Sequence, residues 1–442
     1  MRVKYAGPAL DYSGYGEANR HDIAALDKAG LQLTTQIPHY TLEISDYGKL
    51  GELALKHENK DIGYKVKIIH ITPNVYKQFM EPGKYHIGRI FWETSKLPDD
   101  FAKNAELMDE IWTGSEYNKE AIRRAGVTKP IYIIPEAIDP EVPEKLDVYQ
   151  HPDIPDTVKF KFYSIFEWTE RKNPAALLKA YWKEFEGQTD VALVIKTYVD
   201  NFTPDRKAEI DQAIRMIKKS LPLSHYAPVY LYRGLMDRYQ IYRFHKSFDC
   251  FVSAHRGEGW GIPQMEALLM GKPVISTNCG GIHEHLINNI HAKLIPYQLV
   301  PLSENSRNKQ WYTSDQDWAE VDEKALREAL RWAYSNQDEA RAMGIQGKNA
   351  VESLFSLEAV GAKMRKRLEE IANEPYQEPI ERPEVEDDGI RVGEIIKPAE
   401  VIEEKDETGK VHSKFTIPAT VKKNRIDVDY YAHVDPEERN KK

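Results

Sequence analysis

The stretch from residue 248 to 286 constrains the fold more than any other part of the chain. It opens with an apolar run, 248–254, that is typical of a buried strand. A polar, glycine-broken loop follows at 255–261, and Pro263 then stands where a helix begins, because proline lacks the N–H that the first helical turn does not need. A second apolar run, 273–277, predicts another buried strand. The order strand, loop, helix, strand is the repeating unit of a parallel α/β sheet.

Two carboxylates stand in this unit, Glu258 in the loop and Glu266 in the first turn of the helix. Ligands of open parallel sheets bind at the carboxyl ends of the strands, where this loop lies. Gly259 and Gly261 let the backbone approach a ligand, and a helix N-terminus offers N–H groups to an anion. Because carboxylates accept hydrogen bonds from sugar hydroxyls, the pattern predicts a site for a sugar joined to a diphosphate. A solvated loop residue and a helix-dipole partner are the alternative interpretation.

The segment EGWGIPQMEAL, which begins at Glu258, resembles the E-x7-E signature of the family 4 (group 1) retaining glycosyltransferases, usually EGFGLPxLEAM, with Trp260 in place of Phe. The resemblance implies the GT-B fold, an α/β architecture of two Rossmann-like doubly wound domains that face a cleft. It also implies metal-independent transfer of a hexose-type sugar, with retention, from a nucleotide-diphosphate donor to an acceptor hydroxyl. In the family pattern Glu258 would hold sugar hydroxyls and Glu266 the nucleotide ribose.

The composition fits a large α/β protein. With 442 residues, of which 41% are hydrophobic and 30% charged, the chain is long enough for two or three domains. A net charge of −9 gives no general attraction to nucleic acid. No apolar run approaches the length of a membrane span, and the N-terminus leads directly into a strand, so we expect neither signal peptide nor transmembrane anchor. Cys250 and Cys279 in apolar contexts favour a reducing compartment, and the predicted location is cytoplasmic.

Residues 1–150 read as the first Rossmann-like domain, on the acceptor side of the predicted cleft. Strands and helices alternate along it, which is the pattern of a doubly wound sheet. The predicted strands cover 3–6, 31–37, 66–71, 86–92, 110–113 and 131–134, and the predicted helices cover 17–28, 43–57, 99–108 and 116–125.

The loop after the first predicted strand contains SGYGEANR and opens the first helix. It lacks the G-x-G-x-x-G spacing, because Asn19 stands where a third glycine would fall, and a dinucleotide site is therefore disfavoured. The resemblance implies that Gly14, Tyr15 and Gly16 close over the donor phosphate and the acceptor. An ordinary tight turn is the alternative.

Two polar residues follow apolar runs in this domain and would face the cleft. His70 ends the predicted strand 66–71, where it is either a catalytic residue or a packed core histidine. Glu93 ends the predicted strand 86–92 within WETSKLP, a segment that resembles one branch of the same glycosyltransferases. That resemblance makes Glu93 a candidate contact for the sugar or the acceptor.

Residues 151–356 read as the nucleotide-sugar domain, entered through a linker, 139–157, that has four prolines and no periodicity. Strands are predicted at 159–166, 191–197 and 229–232, and helices at 174–185, 204–219, 236–245, 322–336, 338–354 and 357–372. The resemblance implies that the last of these helices, 357–372, crosses back to the first domain.

Positive charge for a diphosphate comes from the segment ERKNP, in which Arg171 and Lys172 stand at a loop-to-helix junction. In the family pattern this pair neutralises the leaving nucleoside diphosphate. The family often has a further arginine before the lysine, but Phe166 and Glu167 occupy that place here, and Lys196 at another strand end is the candidate replacement. The backbone of Gly280 and Gly281 is a further candidate for donor binding. A solvated helix start is the alternative for the basic pair.

Residues 373–442 differ from the rest of the chain. From 374 to 407 there are thirteen acidic and four basic residues, and the whole segment contains six prolines. This composition predicts an extended or disordered acidic tail. Within it, the run 414–421 could form one strand, which Pro418 would confine to a sheet edge. The triplet Asp427-Val428-Asp429 matches a metal-binding D-x-D of the GT-A class, but it lies outside the predicted α/β cores, so no metal site and no cofactor is predicted.

The partners expected from this interpretation are a nucleotide-sugar donor and a glycan, lipid or other hydroxyl acceptor. Two other classes of protein share parts of the pattern. A GT-B phosphorylase or sugar-nucleotide epimerase would have the same architecture, and a non-catalytic sugar-nucleotide-binding scaffold would suit the acidic tail.

Overall fold

Two parallel six-stranded sheets form the centres of two α/β domains. The computed structural model describes residues 1–11, 13–38, 47–141, 146–148, 154–198, 204–233, 236–307, 311–373, 400–405 and 411–416. Central strands such as β3 (Val66–Ile69) and β8 (Val191–Tyr198) are buried along almost their whole length. This is expected of parallel sheets that helices cover on both faces.

The first domain has the strand order β2-β1-β3-β4-β5-β6. Its elements are β1 (Arg2–Ala6), α1 (Gly14–Lys28), β2 (Gln32–Gln36), α2 (Gly48–Lys56), β3, α3 (Tyr76–Phe79), β4 (Tyr85–Arg89), α4 (Asp99–Ala105), β5 (Glu110–Thr113), α5 (Glu116–Arg124) and β6 (Ile131–Ile133). The strand order reverses between β1 and β3, so the loops that follow these two strands flank the crevice where a ligand would bind.

Helix α1 begins three residues earlier than the sequence predicts. Ser13 is its N-cap, and the Ser13 hydroxyl accepts a hydrogen bond from the backbone N–H of Gly16 at 3.2 Å. Gly14, Tyr15 and Gly16 therefore form the first helical turn instead of a loop before the helix.

Strand β4 ends at Arg89, three residues before its predicted end. Beyond it the chain bends into a turn in which the indole N–H of Trp92 donates to the Thr94 hydroxyl at 2.7 Å and to the carbonyl of Lys96 at 2.8 Å. Glu93 therefore lies in this turn, whereas the sequence predicted it at the end of a strand.

The second domain has the strand order β12-β11-β10-β7-β8-β9. Its elements are β7 (Phe160–Glu167), α6 (Pro174–Glu184), β8, α7 (Pro204–Lys219), β9 (Val229–Arg233), α8 (Arg238–Ser247), β10 (Cys250–Ser253), α9 (Ile262–Leu269), β11 (Val274–Thr277), β12 (Lys293–Ile295), β13 (Tyr297–Pro301), β14 (Asp317–Val321), α10 (Glu323–Ser335) and α11 (Gln337–Phe355). The order reverses between β7 and β10, so the loop with Arg171 and the loop with Glu258 flank the same crevice.

The last helix, α12 (Leu357–Asn373), packs against α1 of the first domain. Gly361 of α12 lies so close to the carbonyl oxygen of Ala25 that a Cβ at this position would collide with it. On the same helix Arg367 donates to Glu110 of β5 at 2.7 Å. The chain passes between the domains a first time near Ile138, whose N–H donates to the carbonyl of Phe355 at 2.8 Å, so both crossings lie side by side.

Strands β13 and β14 form an antiparallel hairpin that the sequence analysis did not predict. The alternation in these strands is irregular, and Pro301 closes the first of them. Part of the hairpin's apolar surface, including Leu302, Tyr312 and Trp318, belongs to the core cluster of the first domain. The hairpin is therefore a third connection between the domains.

The predicted acidic tail lies largely outside the described residues. Within it the structure has a second antiparallel hairpin, β15 (Glu400–Lys405) with β16 (Val411–Thr416), where a single edge strand at 414–421 was predicted. The D-x-D triplet at 427–429 lies outside the described residues.

Candidate nucleotide-sugar site

Glu258 and Lys172 form an ion pair where the loops after β7 and β10 meet. The Lys172 Nζ lies 2.5 Å from the Glu258 Oε2, and both side chains are largely buried. Burial acts to raise the pKa of Glu258, but the charges of Lys172 and Arg171 outweigh it and lower the pKa to about 2. Glu258 is therefore an ionised carboxylate across the physiological range.

Arg171 lies beside this pair in a 3₁₀ turn, Glu170–Lys172, that leads into α6. Its guanidinium donates to the carbonyl of Gly257 at 2.9 Å and lies 3.6 Å from the carboxylate of Glu93 in the first domain. Asn173 follows with a positive φ of 52° and caps α6, its amide oxygen accepting from the N–H of Ala176. The basic pair thus sits on a sharply turned backbone that directs both cations toward the carboxylates of the crevice.

Glu266 lies on α9 and is buried, with 3% of its surface exposed. It is paired with Arg238 of α8, whose Nη1 is 2.6 Å away, and with His245, whose Nε2 is 3.3 Å away. Burial acts to raise its pKa, but Arg238 and His245 lower it below the usual value. Glu266, which was predicted to bind the nucleotide ribose, is therefore already paired with a cation.

Arg238 also reaches the first domain. Its Nε lies 3.1 Å from Glu17 in the first turn of α1, and Glu17 is held in addition by Arg20. A chain of alternating charges, Glu17–Arg238–Glu266, therefore joins the two domains across the crevice. Glu17 and Arg238 were not among the predicted site residues, because they lie in different domains, half the chain length apart, and no local pattern links them.

Lys196 lies near the end of β8 with 6% of its surface exposed. Within the described residues it makes no ion pair, and its Nζ stands 4.7 Å from the ring centre of Tyr198. Burial lowers its pKa to about 8. A buried cation of this kind suits an anionic ligand, although Lys196 lies one strand farther from the E-x7-E loop than the basic pair.

The predicted donor-binding glycines sit where the backbone is crowded. Gly259 lies against Phe91 of the first domain, and a Cβ on Gly280 or Gly281 would collide with the carbonyl of Glu258 or Trp260. Gly261 caps α9 with a φ of 107°, a conformation that favours glycine. These glycines therefore allow the loop after β10 to pack closely against the loop after β11 and against the first domain.

Trp260, the residue that departs from the family pattern, lies at the domain interface. Its ring packs edge-to-face on Phe91 with centroids 6.1 Å apart, and its indole N–H donates to the sulfur of Met265 at 3.3 Å. A Cβ on Gly114 would meet the Trp260 ring. The larger indole thus fills space between the domains.

The first turn of α1 brings Tyr15 and His70 together. Their rings are edge-to-face with centroids 5.7 Å apart, and His70 lies the same distance from Phe91. A Cβ on Gly16 would collide with the carbonyl of Asp11, whereas the space around Gly14 is open. Burial, with the nearby carboxylates Glu93 and Glu136, raises the pKa of Tyr15.

His70 is fully buried, and its Nδ1 lies 2.7 Å from the Tyr5 hydroxyl and 3.1 Å from Asp22. Asp22 is in turn bound by Arg89. Burial lowers the pKa of His70 even though Asp22 opposes the shift, so the imidazole is neutral at physiological pH. An oriented neutral histidine suits a hydrogen bond to a substrate and also suits the packing alternative.

Glu136 is a carboxyl group that the sequence analysis missed. It follows β6, is 4% exposed, and its Oε2 has no hydrogen-bond partner among the described residues. Burial raises its pKa well above the usual value, Arg89 opposes the shift, and the charges of Asp22 and Glu258 add to it. Burial and these neighbouring charges therefore favour the protonated form of Glu136. Its segment, IPEAIDP, contains no recognisable catalytic spacing.

Among the described residues, no group of three or more histidine, cysteine, aspartate or glutamate side chains is arranged to hold a metal ion. No described helix is both long and apolar enough to cross a membrane.

Residues 164–301 match the model of a family described as glycosyl transferases group 1. A curated relative, an uncharacterized glycosyltransferase of Sulfolobus islandicus rod-shaped virus 1, is 26% identical over 140 residues. That alignment covers 32% of this chain and 36% of the relative, so the similarity spans about a third of each. Both matches agree with the predicted class of enzyme, a glycosyltransferase.

Solved structures resemble the chain over most of its length. Sucrose-phosphate synthase from Thermosynechococcus elongatus has a TM-score of 0.59 at 14% identity, covering 84% of this chain and 99% of that one. HepE from Anabaena, solved with UDP and glucose, has a TM-score of 0.56 at 12% identity, covering 84% of this chain and 100% of that one. A likeness at this identity establishes the fold. The predicted GT-B fold is confirmed, and residues 164–301, which carry the E-x7-E segment, match the group 1 glycosyltransferases.

Proposed function

We propose that the chain is a retaining glycosyltransferase that moves a hexose-type sugar from a nucleotide-diphosphate donor to an acceptor hydroxyl in the cytoplasm, without a metal ion. The observation that supports this best is the contact between Lys172 and the first glutamate of the E-x7-E segment, at 2.5 Å. It brings a cation suited to a diphosphate next to a carboxylate suited to sugar hydroxyls, in the crevice of a GT-B fold.

Breaking the bond between the anomeric carbon and the diphosphate leaves negative charge on the leaving group and positive charge on the sugar. Arg171 and Lys172 would stabilise the leaving diphosphate, together with Lys196 and the backbone around Gly280 and Gly281. Fixed donors in a site shielded from water stabilise such developing charge strongly, and losing one costs about 3 kcal/mol. A resident metal ion is not needed in this scheme because side chains supply the positive charge.

The carboxylates would bind the rest of the donor. Glu258 is ionised and would accept hydrogen bonds from sugar hydroxyls. Glu266 would accept hydrogen bonds from the ribose hydroxyls while it stays paired with Arg238. We propose that the acceptor hydroxyl attacks on the side from which the diphosphate leaves, and that a leaving phosphate oxygen takes its proton. Retention of configuration would follow without a protein nucleophile.

On the first domain, His70, Glu93 and the start of α1 at Gly14–Gly16 would face the transferred sugar and the acceptor. His70 is neutral and held by Asp22, so it would make one hydrogen bond to the substrate and would carry no charge. The acceptor would be a glycan, a lipid headgroup or another hydroxyl compound.

A thermal-shift screen of UDP-, GDP- and ADP-sugars tests the proposal, because a ligand that binds only the folded state raises the melting temperature. UDP-glucose is the natural first donor, since HepE was solved with UDP and glucose. We expect one donor class to raise Tm by several degrees in the wild type and by much less in Glu266→Gln. The control is Glu328→Gln, which changes an exposed glutamate of α10. The absence of a shift with every donor would contradict the proposal.

The chemistry is tested next with the donor that binds. Arg171→Gln and Lys172→Gln should each lower kcat/KM for donor hydrolysis by roughly 10²–10³. Activity should be insensitive to EDTA, and the product should keep the anomeric configuration when followed by NMR. Cleavage that requires inorganic phosphate, or interconversion of sugars without an acceptor, would instead identify a phosphorylase or an epimerase.

A further inference from the structure

The 3₁₀ turn Glu170–Lys172, which carries the basic pair, has little internal support. Its start has no side-chain cap, and the N–H of Lys172 donates to the carbonyl of Thr169 at 3.2 Å. The hydrogen-bond geometry of a 3₁₀ turn is poorer than that of an α-helix. The directions of Arg171 and Lys172 therefore depend on the segments that the turn contacts.

The loop after β10 is the first of these segments. The carbonyl of Arg171 accepts a hydrogen bond from the backbone N–H of Arg256 at 2.7 Å, and the Arg171 guanidinium donates to the carbonyl of Gly257 at 2.9 Å. The ion pair between Lys172 and Glu258 follows one residue farther along both segments. The turn and the loop therefore lie side by side with a fixed register.

The side chain of Arg256 adds a link at the start of the turn. Its Nη1 lies 2.7 Å from the carboxylate of Glu170, and its Nη2 lies 2.6 Å from the carboxylate of Glu320 on β14. The guanidinium also lies over the ring of Trp318, 5.0 Å from the ring centre. The hydroxyl of Ser303 donates to Glu170 at 2.9 Å. Arg256 thus bridges the turn and the β13–β14 hairpin.

Strand β14 also holds the backbone of Arg256, whose carbonyl accepts from the N–H of Ala319 at 2.7 Å. The Arg256 side chain is 19% exposed, and those of Glu170 and Glu320 are each 38% exposed. A guanidinium presents its five N–H donors in one rigid plane, so one that binds two carboxylates fixes the distance between them. Glu170 is therefore held at a set distance from β14.

We propose that Arg256 is a positioning residue for the basic pair. Its side chain anchors Glu170 to β14 and so directs the two cations that follow Glu170 in the chain toward the diphosphate. This inference rests on the proposed role of Arg171 and Lys172 in stabilising the leaving diphosphate. Arg256 acts on the rate without touching the donor, because a small displacement of a catalytic group is enough to lower the rate strongly.

The proposal predicts the same effect from removing either charge of the Arg256–Glu170 pair. If Arg256 acted through its positive charge alone, Arg256→Met would weaken the stabilisation of the diphosphate, and Glu170→Ala would strengthen it by removing a negative charge. If Arg256 acts by holding the turn, both substitutions release the turn and both lower the rate. The sign of the Glu170→Ala effect therefore distinguishes positioning from a charge effect.

Hydrolysis of the best donor by the full-length chain tests this prediction. We expect Arg256→Met and Glu170→Ala each to lower kcat about tenfold, while the donor KM changes less than about threefold. The two losses should not multiply in the double variant, because both substitutions break the same link. An unchanged or higher kcat for Glu170→Ala, or a multiplied loss in the double variant, would overturn the proposal.

Arg331→Met is the matched control for the loss of a partly exposed arginine pair. Arg331 of α10 lies 2.8 Å from Glu184, at the opposite end of α6 from the basic pair, and its guanidinium is 4.6 Å from the ring centre of Phe185. Such pairs contribute little to stability, so Tm should fall by no more than about three degrees in Arg256→Met and Arg331→Met. Only Arg256→Met should lose kcat, and an equal loss in Arg331→Met would contradict the positioning role.

Inorganic pyrophosphate is a probe that does not depend on sugar transfer. Calorimetry should show that Arg256→Met and Glu170→Ala each bind pyrophosphate about fivefold more weakly than the wild type and Arg331→Met. This pattern without turnover of any nucleotide sugar would support the inference and contradict only the proposed function. Turnover with equal pyrophosphate affinities in all four proteins would contradict only the inference. A wild type that does not bind pyrophosphate would overturn the inference as well.

Discussion

At the scale of single residues, the site is made of charges that the fold has taken out of water. Lys172 and Arg238 are matched by carboxylates, and Lys196 is the cation for which the described residues provide none. A buried charge without a partner costs stability and persists where function needs it. This contrast makes Lys196 the most informative residue to replace.

Lys196→Met should stabilise the protein and weaken donor binding. The pKa of about 8 lies below the usual value of about 10.4, so the folded state disfavours the charged form, and stability is lost as pH falls through this range. Removing the charge should therefore raise stability at pH 7 by on the order of 2–3 kcal/mol. Denaturant unfolding measures the gain, and the exposed Lys324→Met is the control.

Donor affinity should depend on the charge of the same residue. In the wild type it should decline as pH rises through about 8, where Lys196 loses its proton, and Lys196→Met should lack this decline. Titrations of the best donor between pH 6.5 and 9.5 test this. Parallel curves for the two proteins would remove Lys196 from the site.

Glu136→Gln should remove a pH-dependent loss of stability. Burial raises the pKa of Glu136 in the folded state, so its contribution to folding stability is fully present below the unfolded-state pKa of about 4.3. That stability is lost as pH rises toward the folded-state pKa. The Tm advantage of Glu136→Gln over the wild type should therefore grow between pH 5 and pH 8. Glu52→Gln on the exposed face of α2 should show no such trend.

At the scale of elements, helix ends and close helix contacts determine how the site is assembled. Ser13 starts α1 early enough to place Tyr15 against His70, and Glu284 of the second domain accepts hydrogen bonds from the first two N–H groups of α5 in the first. The contact between α12 and α1 joins the end of the chain to its beginning.

Gly361→Ala tests the packing of α12 on α1. Alanine favours a helix over glycine by about 1 kcal/mol, but the added Cβ would collide with the carbonyl oxygen of Ala25. Overpacking of this kind typically costs 1–3 kcal/mol, so we expect a net loss of stability. Thermal melting measures it, and Lys366→Ala at an exposed position of the same helix should be neutral or stabilising. An increase in Tm for Gly361→Ala would mean that the two helices separate easily.

At the scale of the whole molecule, described contacts join the domains at several separate places. These are the paired crossings near Ile138 and α12, the Glu17–Arg238–Glu266 charges, the packing of Trp260 on Phe91, and the β13–β14 hairpin. Every predicted site residue except Lys196 lies in or beside the loops that these contacts bring together. Donor binding and domain arrangement are therefore expected to influence each other.

A chain that ends at Asn373 should keep donor binding and donor hydrolysis, and its Tm should lie within a few degrees of the full-length value. The candidate site residues all precede residue 290, and the packing of α12 on α1 is complete at Asn373. The acidic composition of the following segment offers little apolar surface to bury. A fall of Tm by ten degrees or more would show that the segment, including the β15–β16 hairpin, stabilises the domains.

The sequence alone was sufficient for what depends on short-range pattern. Apolar runs, helix-capping residues and the spacing of Glu258 and Glu266 predicted the α/β class, most of the elements and the crevice of the second domain. The β13–β14 hairpin was not predicted because its strands alternate irregularly and Pro301 ends the first of them. The start of α1 was predicted too late because a single capping residue, Ser13, shifts a helix boundary without changing the periodicity.

Only the tertiary structure decided which charges meet. Lys172 and Glu258 are 86 positions apart in the chain, and Arg238 touches Glu17 of another domain, so no local pattern carries these pairings. The same holds for Glu136, whose pKa is raised by burial and by the charges of Asp22 and Glu258. Local propensity acts over a few residues, whereas the electrostatics of the crevice depends on distances that exist only after both sheets have formed and the domains have docked.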